Sequence, residues 1–433
     1  MIEAFRASIL HCLADPGEDG RAGAREYFED GVLIVDNGIV SEVGPAAALL
    51  PMLTDDHHVA DFTGKLIVPG LIDCHVHFPQ LDIIASCGDQ LLDWLNDYAY
   101  PEETKFANIE HSRAVASFFL DELLRNGTTT ALVFATVHPQ SVDAIFEAAQ
   151  ARKMRLIAGK VLMDRNCPDD LQDSAESAYS DSKKLIRRWH QTGRLGYAIT
   201  PRFALTSSAQ QLAAAGRLAE EYPDVWIHTH LAENHDEVQK VAQDFPESRS
   251  YLDVYDGSEL LRERSVFAHC LHLDDQDRSL LAEKGAAAAF CPTSNLFLGS
   301  GLFDLRTMCD AGVRVGLASD VGGGTSLSML QTMSEAYKVL QLQNQNLPPV
   351  RALYFATLGA ARALHLDDKI GNLVPGKEAD FVVLDPGATG ISERRTQLAK
   401  TIDERLFALF TLGDDRHVAA TYLLGQSVML AGA

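Results

Sequence analysis

The sequence lacks any long apolar run. No segment of its 433 residues approaches the roughly 18 consecutive apolar residues that a membrane-spanning helix needs. The first twenty residues include Glu3 and Arg6 and no sustained apolar stretch, so we expect no secretory signal. These absences predict a protein without a membrane partner.

Positive charge is also scarce. The 37 Lys and Arg residues face 60 Asp and Glu residues, which leaves a formal net charge of −23. A surface of this sign repels phosphate backbones, so we expect no nucleic-acid partner.

The seven cysteines are few, odd in number and never spaced as C-x-x-C. This scatter is typical of free thiols in a reducing compartment rather than of a disulfide framework. We therefore expect the protein to be cytoplasmic.

Several catalytic signatures are missing. The chain has no H-E-x-x-H, no P-loop, no G-x-S-x-G, and no H-x-E with P-C-x-x-C. Their absence argues against zincin proteases, P-loop nucleotidases, α/β-hydrolases and the cytidine-type zinc deaminases.

The middle of the chain, residues 69–365, alternates strand-like and helix-like patterns. Between most of the strands lie helical patterns such as 114–125, 142–152, 209–222 and 327–342. Eight strands in this arrangement favour an α/β fold, a (β/α)8 TIM-type barrel, with a doubly wound open sheet as the alternative. The predicted strands are 71–76, 128–134, 156–162, 197–201, 225–230, 266–269, 286–290 and 314–319.

The two ends of the chain have a different character. Asp36-Asn37-Gly38 separates two short apolar runs, which indicates a β-hairpin. Residues 380–384 and 421–430 also read as strands. We predict that 1–68 and 366–433 pair into one small β domain beside the barrel.

Histidine and aspartate side chains that can bind a metal ion lie where the predicted barrel strands end. His75 and His77 share one face of the first strand because side chains two apart point the same way. His230, His269 and Asp320 close the fifth, sixth and eighth strands. The carboxyl ends of barrel strands meet at one mouth, so these groups are expected to form a site for a divalent ion such as zinc or iron.

Neighbouring residues receive less specific interpretations. His228 lies one pleat deeper than His230 and is expected in a second layer or in the core. His272 lies beyond its strand and reads as a loop residue, while Lys160 within the third strand needs a partner. The cysteines near the strand ends are expected to be core residues: Cys74, Cys270 and Cys291.

The motifs together resemble the amidohydrolase superfamily, and within it the family that deaminates guanine. The H-F-P-Q continuation, the T-P-R-F segment and L-G-D-D-R are the parts most like that family. The matching segments are PGLIDCHVHFPQ at 69–80, NGTTTALVFAT at 126–136, ITPRFALTSS at 199–208, HTHLAEN at 228–234, FAHC at 267–270, CPTSNL at 291–296, LASDVGGGTSLSML at 317–330, IGNLVPGKEADFVVLD at 370–385 and LGDDR at 412–416.

The resemblance implies a β/α barrel flanked by a small β-sandwich, and a metal site. The implied ligands are His75, His77, His230 and Asp320, with His269 beside the attacking water or the substrate. The fourth strand ends without the lysine that bridges two ions in binuclear relatives, so one Zn²⁺ per chain is expected, with iron as the alternative. The resemblance also implies a homodimer.

The implied reaction converts guanine, a small-molecule purine, to xanthine and ammonia. A metal-activated hydroxide attacks C2, Asp320 takes the water proton, and Glu233 protonates a ring nitrogen and passes the proton to the leaving amine. Gln80, Arg202 and Phe203 match substrate-contacting positions. Trp94, in an insertion after the first strand, can stack on the base or merely pack.

Two other functions stay open from the sequence. The same barrel and metal can act on another aminated or halogenated heterocycle, such as a triazine, cytosine or an adenine derivative. The fold can also serve as a catalytically dead scaffold, although such a scaffold has no need for five groups poised at one mouth.

Overall fold

The computed structural model describes residues 2–54, 57–88 and 90–428. Its strands are β1 (Ile2–Cys12), β2 (Arg25–Asp36), β3 (Ile39–Pro45), β4 (His58–Pro69), β5 (Leu71–His77), β6 (Thr128–Phe134), β7 (Arg155–Gly159), β8 (Val161–Leu162), β9 (Leu195–Pro201), β10 (Trp226–Leu231), β11 (Ser265–His269), β12 (Ala287–Phe290), β13 (Arg314–Leu317), β14 (Phe381–Leu384), β15 (Val418–Leu423) and β16 (Gln426–Ser427).

The α-helices lie mostly between the strands, as the alternating pattern predicts. They are α1 (Ala46–Leu49), α2 (Leu91–Trp94), α3 (Tyr100–Glu103), α4 (Ile109–Arg125), α5 (Pro139–Arg152), α6 (Ala175–Trp189), α7 (Ala209–Glu221), α8 (His235–Asp244), α9 (Tyr251–Asp256), α10 (Asp275–Glu283), α11 (Pro292–Phe297), α12 (Leu305–Asp310), α13 (Met329–Gln341), α14 (Pro349–Phe355), α15 (Leu358–Ala363), α16 (Gly390–Gln397) and α17 (Ile402–Leu412). Among the described residues, no helix is both long and apolar enough to cross a membrane.

The predicted barrel is confirmed. Its sheet runs in the order β13-β12-β11-β10-β9-β7-β6-β5, with β8 beside β9. The two ends of this path meet: the Asp320 N–H donates to the His75 carbonyl at 2.9 Å, and the His77 N–H donates to the Val321 carbonyl at 2.8 Å. Sequential order with such closure is the TIM-type topology and excludes the doubly wound open sheet.

One predicted barrel strand differs from the structure. Residues 156–162 form two strands, β7 and β8, with Lys160 between them. The Lys160 N–H donates to the Tyr197 hydroxyl at 3.2 Å instead of joining the sheet, and its ammonium pairs with Asp173. The strand breaks because the buried lysine satisfies its polar groups locally.

A second, mixed sheet joins the beginning and end of the chain. Its order is β16-β15-β14-β4-β1-β2-β3, and β4 pairs antiparallel with β14. The predicted pairing of the two chain ends is therefore confirmed. Phe5, Phe381 and Tyr422 pack together in its apolar core.

The turns of this sheet confirm one prediction from the sequence and correct another. Asn37 and Gly38 have φ of 51° and 84°, as the predicted hairpin turn requires. The predicted strand 421–430 is wrong as one continuous strand: its residues 421–423 end β15 and 426–427 form β16, because Leu424 and Gly425 adopt φ of 51° and 73° and reverse the chain between them. Residues 429–430 lie outside the described part.

The chain forms two compact units. One comprises Met1–Ile72, Asp121–Thr129 and Ser328–Ala433, and the other comprises Asp73–Leu120 and Thr130–Leu327. The side chains of the candidate site belong to the second unit. The predicted domain boundaries at 68/69 and 365/366 remain a prediction.

Candidate active site

Five buried polar side chains stand at the carboxyl ends of the barrel strands. His75 and His77 end β5, His230 is the penultimate residue of β10, His269 ends β11, and Asp320 follows β13. Each side chain is at most 9% exposed. The sequence places them at strand ends, and the barrel brings those ends to one mouth.

Their ligand atoms converge. The Nε2 atoms of His75 and His77 are 3.1 Å apart, and those of His77 and His230 are 3.3 Å apart. Asp320 Oδ1 lies 3.0 Å from His75 Nε2 and 3.4 Å from His77 Nε2. Ligand atoms 2.0–2.1 Å from a tetrahedral zinc ion are separated by about 3.3 Å, so the spacing fits such an ion.

The protonation of these imidazoles also suits a metal. His230 Nδ1 lies 2.6 Å from the Arg202 carbonyl, which can only accept, so Nδ1 carries the proton and Nε2 offers a lone pair. Burial lowers the pKa of His77 to about 4 and holds that of His230 well below its usual range. Neutral imidazoles whose lone pairs face one another are stabilised by a cation between them.

His269 belongs to the same cluster but lies farther from Asp320 than His77 does. Ligand atoms of His75, His230, His269 and Asp320 all lie within 4.8 Å of one another. His269 Nε2 is nevertheless 3.7 Å from Asp320 Oδ2, farther than the contacts of His77. Its Nε2 also lies 3.3 Å from Glu233 Oε2. This position is suited to contact with substrate or water next to the ion.

The backbone is strained where it presents these groups. Ala232, His269 and Asp320 have φ of 51°, 74° and 51°, in the left-handed region that non-glycine residues rarely adopt. Such conformations cost of order 1–3 kcal/mol each and persist where surrounding contacts impose them. Here they accompany sharp turns at the ends of β10, β11 and β13.

Glu233 and Asp320 are two carboxyl groups with opposite pKa shifts. Burial, followed by the negative charge of Asp320, raises the pKa of Glu233 to about 8. Burial alone would raise the pKa of Asp320, but His75 and His77 outweigh it and hold that pKa well below its usual range. Near neutral pH one group carries a proton and the other remains ionised, as acid–base chemistry requires.

The position of Glu233 is fixed by further buried groups. The Ser300 hydroxyl donates to Glu233 Oε1 at 3.2 Å. Glu237 Oε2 accepts the N–H groups of Glu233 at 2.9 Å and Asn234 at 3.1 Å. The Tyr251 hydroxyl donates to Glu237 Oε1 at 2.7 Å. The carboxyl group of Glu233 is thus held beside His269.

Side chains that the sequence associates with substrate line a pocket that also contains members of the cluster. The ring of Phe203 lies 6.2 Å from that of His230. Trp94 is only 2% exposed, and its Nε1 donates to the Ser86 carbonyl at 3.0 Å. The predicted site residues that line the pocket are His77, Gln80, Trp94, Arg202, Phe203, His230, Glu233, His269 and Asp320.

The residues that the sequence analysis leaves outside the predicted metal and substrate sites have local partners or are buried. His228 Nε2 lies 2.7 Å from His75 Nδ1, beneath the cluster, and His272 Nε2 lies 3.1 Å from the Ser300 carbonyl. Lys160 pairs with Asp173. The buried cysteines near the strand ends are Cys74, Cys270 and Cys291.

The sequence matches a known family along most of its length. The profile of the amidohydrolase family matches residues 66–428 of the 433-residue chain. The chain belongs to the amidohydrolase family.

Proteins similar to this amidohydrolase include guanine deaminases. That of Escherichia coli is 52% identical over 407 residues, which cover 94% of this chain and 93% of the relative. A structure of the E. coli guanine deaminase has a TM-score of 0.97 at 50% identity, covering 99% of this chain and 100% of the other. A crystal structure of guanine deaminase from C. acetobutylicum with guanine in its active site has a TM-score of 0.90 at 26% identity, covering 99% and 100%.

Sequence reasoning missed three residues of this amidohydrolase site. Glu237 follows Asn234 by three positions, and this capping-box spacing at the start of α8 is a signal that could have identified a helix-capping carboxylate. Ser300 lies in a short loop with no distinctive pattern. Glu103 follows an equally acidic Glu102, so the sequence alone does not indicate which of the two contacts Gln80 and Arg202.

Proposed function

We propose that this amidohydrolase catalyses the hydrolytic deamination of guanine to xanthine and ammonia. One observation carries the proposal. A single pocket combines a cluster of metal-ligating groups, a buried carboxyl group with a raised pKa, and an arginine and an amide that can recognise a purine edge.

We propose one zinc ion per chain, with iron as the alternative, held by His75, His77, His230 and Asp320. The support is the separation of about 3.3 Å that tetrahedral zinc ligands require and the neutral state of the imidazoles. A divalent ion held by these residues would supply Lewis acidity that activates the attacking water near neutral pH. His77 is included because its Nε2 lies 3.1 Å from that of His75 and 3.3 Å from that of His230, whereas His269 Nε2 also faces Glu233 at 3.3 Å.

The chain's own residues then move the protons. Asp320 remains ionised and accepts a proton from the attacking water, whose oxygen bonds to C2. Glu233, protonated near pH 7, delivers a proton to the ring nitrogen beside C2. The proton held by Asp320 passes to the amine as the carbon–nitrogen bond breaks and ammonia leaves. The new hydroxyl at C2 loses its proton to Glu233 and becomes the carbonyl of xanthine, so both carboxyl groups regain their starting states. His269 steadies this oxygen.

The opposite wall of the pocket supplies recognition. The guanidinium of Arg202 offers only donors and suits the carbonyl at C6 of guanine. Gln80 contributes its side-chain amide, and the rings of Phe203 and Trp94 provide flat apolar surfaces for the base. All four side chains line the pocket.

The test is ammonia release by the purified protein from guanine, adenine, cytosine, guanosine and a triazine. Guanine should be deaminated fastest. If another compound reacts faster, the substrate assignment is wrong and the superfamily assignment stands. No ammonia from any compound with metal-loaded protein would favour the scaffold alternative.

Arg202→Ala should lower kcat/KM for guanine by orders of magnitude while the metal content stays near normal. Arg202→Lys should have a kcat/KM nearly as low as that of Arg202→Ala, because an ammonium is a point charge and lacks the planar set of donors of a guanidinium. Adenine should be a negligible substrate, because it presents an amine at C6 and has no amine at C2 to lose. Wild-type kinetics for Arg202→Ala would mean that the arginine does not bind the substrate.

We also propose a cytoplasmic homodimer. The support is the family resemblance and the scattered free cysteines. Light scattering of the purified protein measures the assembly, and a monomer at all concentrations would contradict it.

A further inference from the structure

A buried glutamate joins the two polar side chains of the recognition wall. Glu103 is 1% exposed and lies at the end of α3. Its Oε1 accepts from Gln80 Nε2 at 2.9 Å and from Arg202 Nη1 at 2.9 Å, and its Oε2 accepts from the same Nη1 at 2.7 Å. No step of the proposed reaction uses this carboxylate. Its burial is tolerated because Arg202 and Gln80 pair with it.

The contacts of Gln80 determine which way its amide points. A carboxylate can only accept, so the Gln80 group facing Glu103 is the NH2. At the other end of the amide, the Gly322 N–H donates to Oε1 at 3.3 Å. Reversing the amide would place oxygen against oxygen and donor against donor. Both neighbours therefore select one orientation.

Arg202 is constrained by the same glutamate. Both contacts with Glu103 use Nη1, which leaves Nη2 and Nε as donors for another partner. The guanidinium carbon also lies 5.2 Å from the centre of the Tyr100 ring, one turn before Glu103 in α3. A planar donor group held between a carboxylate and an aromatic ring has little freedom to reorient.

We propose that Glu103 is a positioning residue that fixes the donor and acceptor pattern of the recognition wall. The fixed pattern presents guanidinium donors beside an amide oxygen. This pattern suits a purine with a carbonyl at C6 and an N–H at N1. It disfavours a purine with an amine at C6 and an unprotonated N1. This inference rests on the proposed guanine deaminase activity and assigns part of its specificity to a residue behind the substrate contacts.

The experiment compares guanine with 2,6-diaminopurine in wild type and in Glu103→Gln. The probe keeps the amine at C2 but reverses the neighbouring edge, with a donor at C6 and an acceptor at N1. A glutamine at position 103 can present either a donor or an acceptor, so the Gln80 amide is no longer fixed.

The variant should raise KM for guanine about 10- to 100-fold, with a smaller change in kcat, because a site that loses part of its hydrogen-bond pattern loses part of its discrimination. The preference for guanine is measured as the inhibition constant of 2,6-diaminopurine divided by KM for guanine. This ratio should fall by a similar factor.

Glu102→Gln is the matched control. Glu102 lies on the same helix, but its carboxylate pairs with Lys105 at 2.5 Å. This variant should retain wild-type KM and discrimination. Metal content and thermal unfolding are measured for both variants, and if Glu103→Gln does not fold, Glu103→Asp, which keeps the charge one methylene short, takes its place.

The two possible failures are distinguishable. If the wild type does not deaminate guanine, the proposed function is wrong. If the wild type is active and the folded Glu103 variant keeps the wild-type KM and discrimination, Glu103 is only structural and the inference is overturned. A lower melting temperature with unchanged discrimination would overturn it in the same way.

Discussion

Replacing His230 by alanine should abolish both metal binding and deamination. Its Nε2 lies 3.3 Å from His77 Nε2, and its Nδ1 is committed to the Arg202 carbonyl at 2.6 Å, so its single lone pair faces the cluster. Loss of one of the four proposed ligands should leave a site too poor to retain the ion at ordinary concentrations. Metal analysis of dialysed protein and an ammonia assay measure the two losses together.

His111→Ala is the control for this variant. His111 is a half-buried residue of α4 beside Phe106, outside the ligand cluster. It should keep both metal and activity. A His230→Ala protein with a full complement of metal and wild-type turnover would contradict the ligand assignment.

Glu233→Gln should lower turnover by roughly 10²–10⁴-fold, the usual contribution of general acid–base catalysis. The amide keeps the shape of the side chain but cannot transfer a proton to the ring nitrogen. Ser300 and Glu237 still hold the segment, and Glu233 is outside the proposed ligand set, so the metal content should stay near normal. Steady-state kinetics with metal analysis measure this combination.

Asp236→Asn supplies the comparison, because it removes a carboxylate three positions away on an exposed part of α8. Its turnover should match the wild type. Near-native turnover in Glu233→Gln would show that the glutamate is structural and that another group carries the proton.

The sequence predicts most of the fold because the barrel strands are short apolar runs between helical patterns. It also predicts the cluster of His and Asp side chains, since the strand ends of a closed barrel converge regardless of side-chain detail. His75 and His77 illustrate this: their alternate spacing on a strand is enough to place both on one face. The pairing of the chain ends was visible only as two sets of strand patterns.

What the sequence did not predict depends on contacts between distant residues. Lys160 divides a strand because Tyr197 and Asp173 take its polar groups. Glu103 contacts Arg202, 99 positions away in the sequence, only because the folded chain brings the two residues together. Local patterns do not encode such pairs, whereas they encode the period of a strand.

The most direct test of the central claim is deamination of guanine in water labelled with oxygen-18, using protein of measured metal content. We predict one ammonia per xanthine, one solvent oxygen at C2 of each xanthine, and a rate proportional to the bound metal. Failure of the metal-loaded protein to form labelled xanthine, or an equal rate after the metal is removed, would contradict the account.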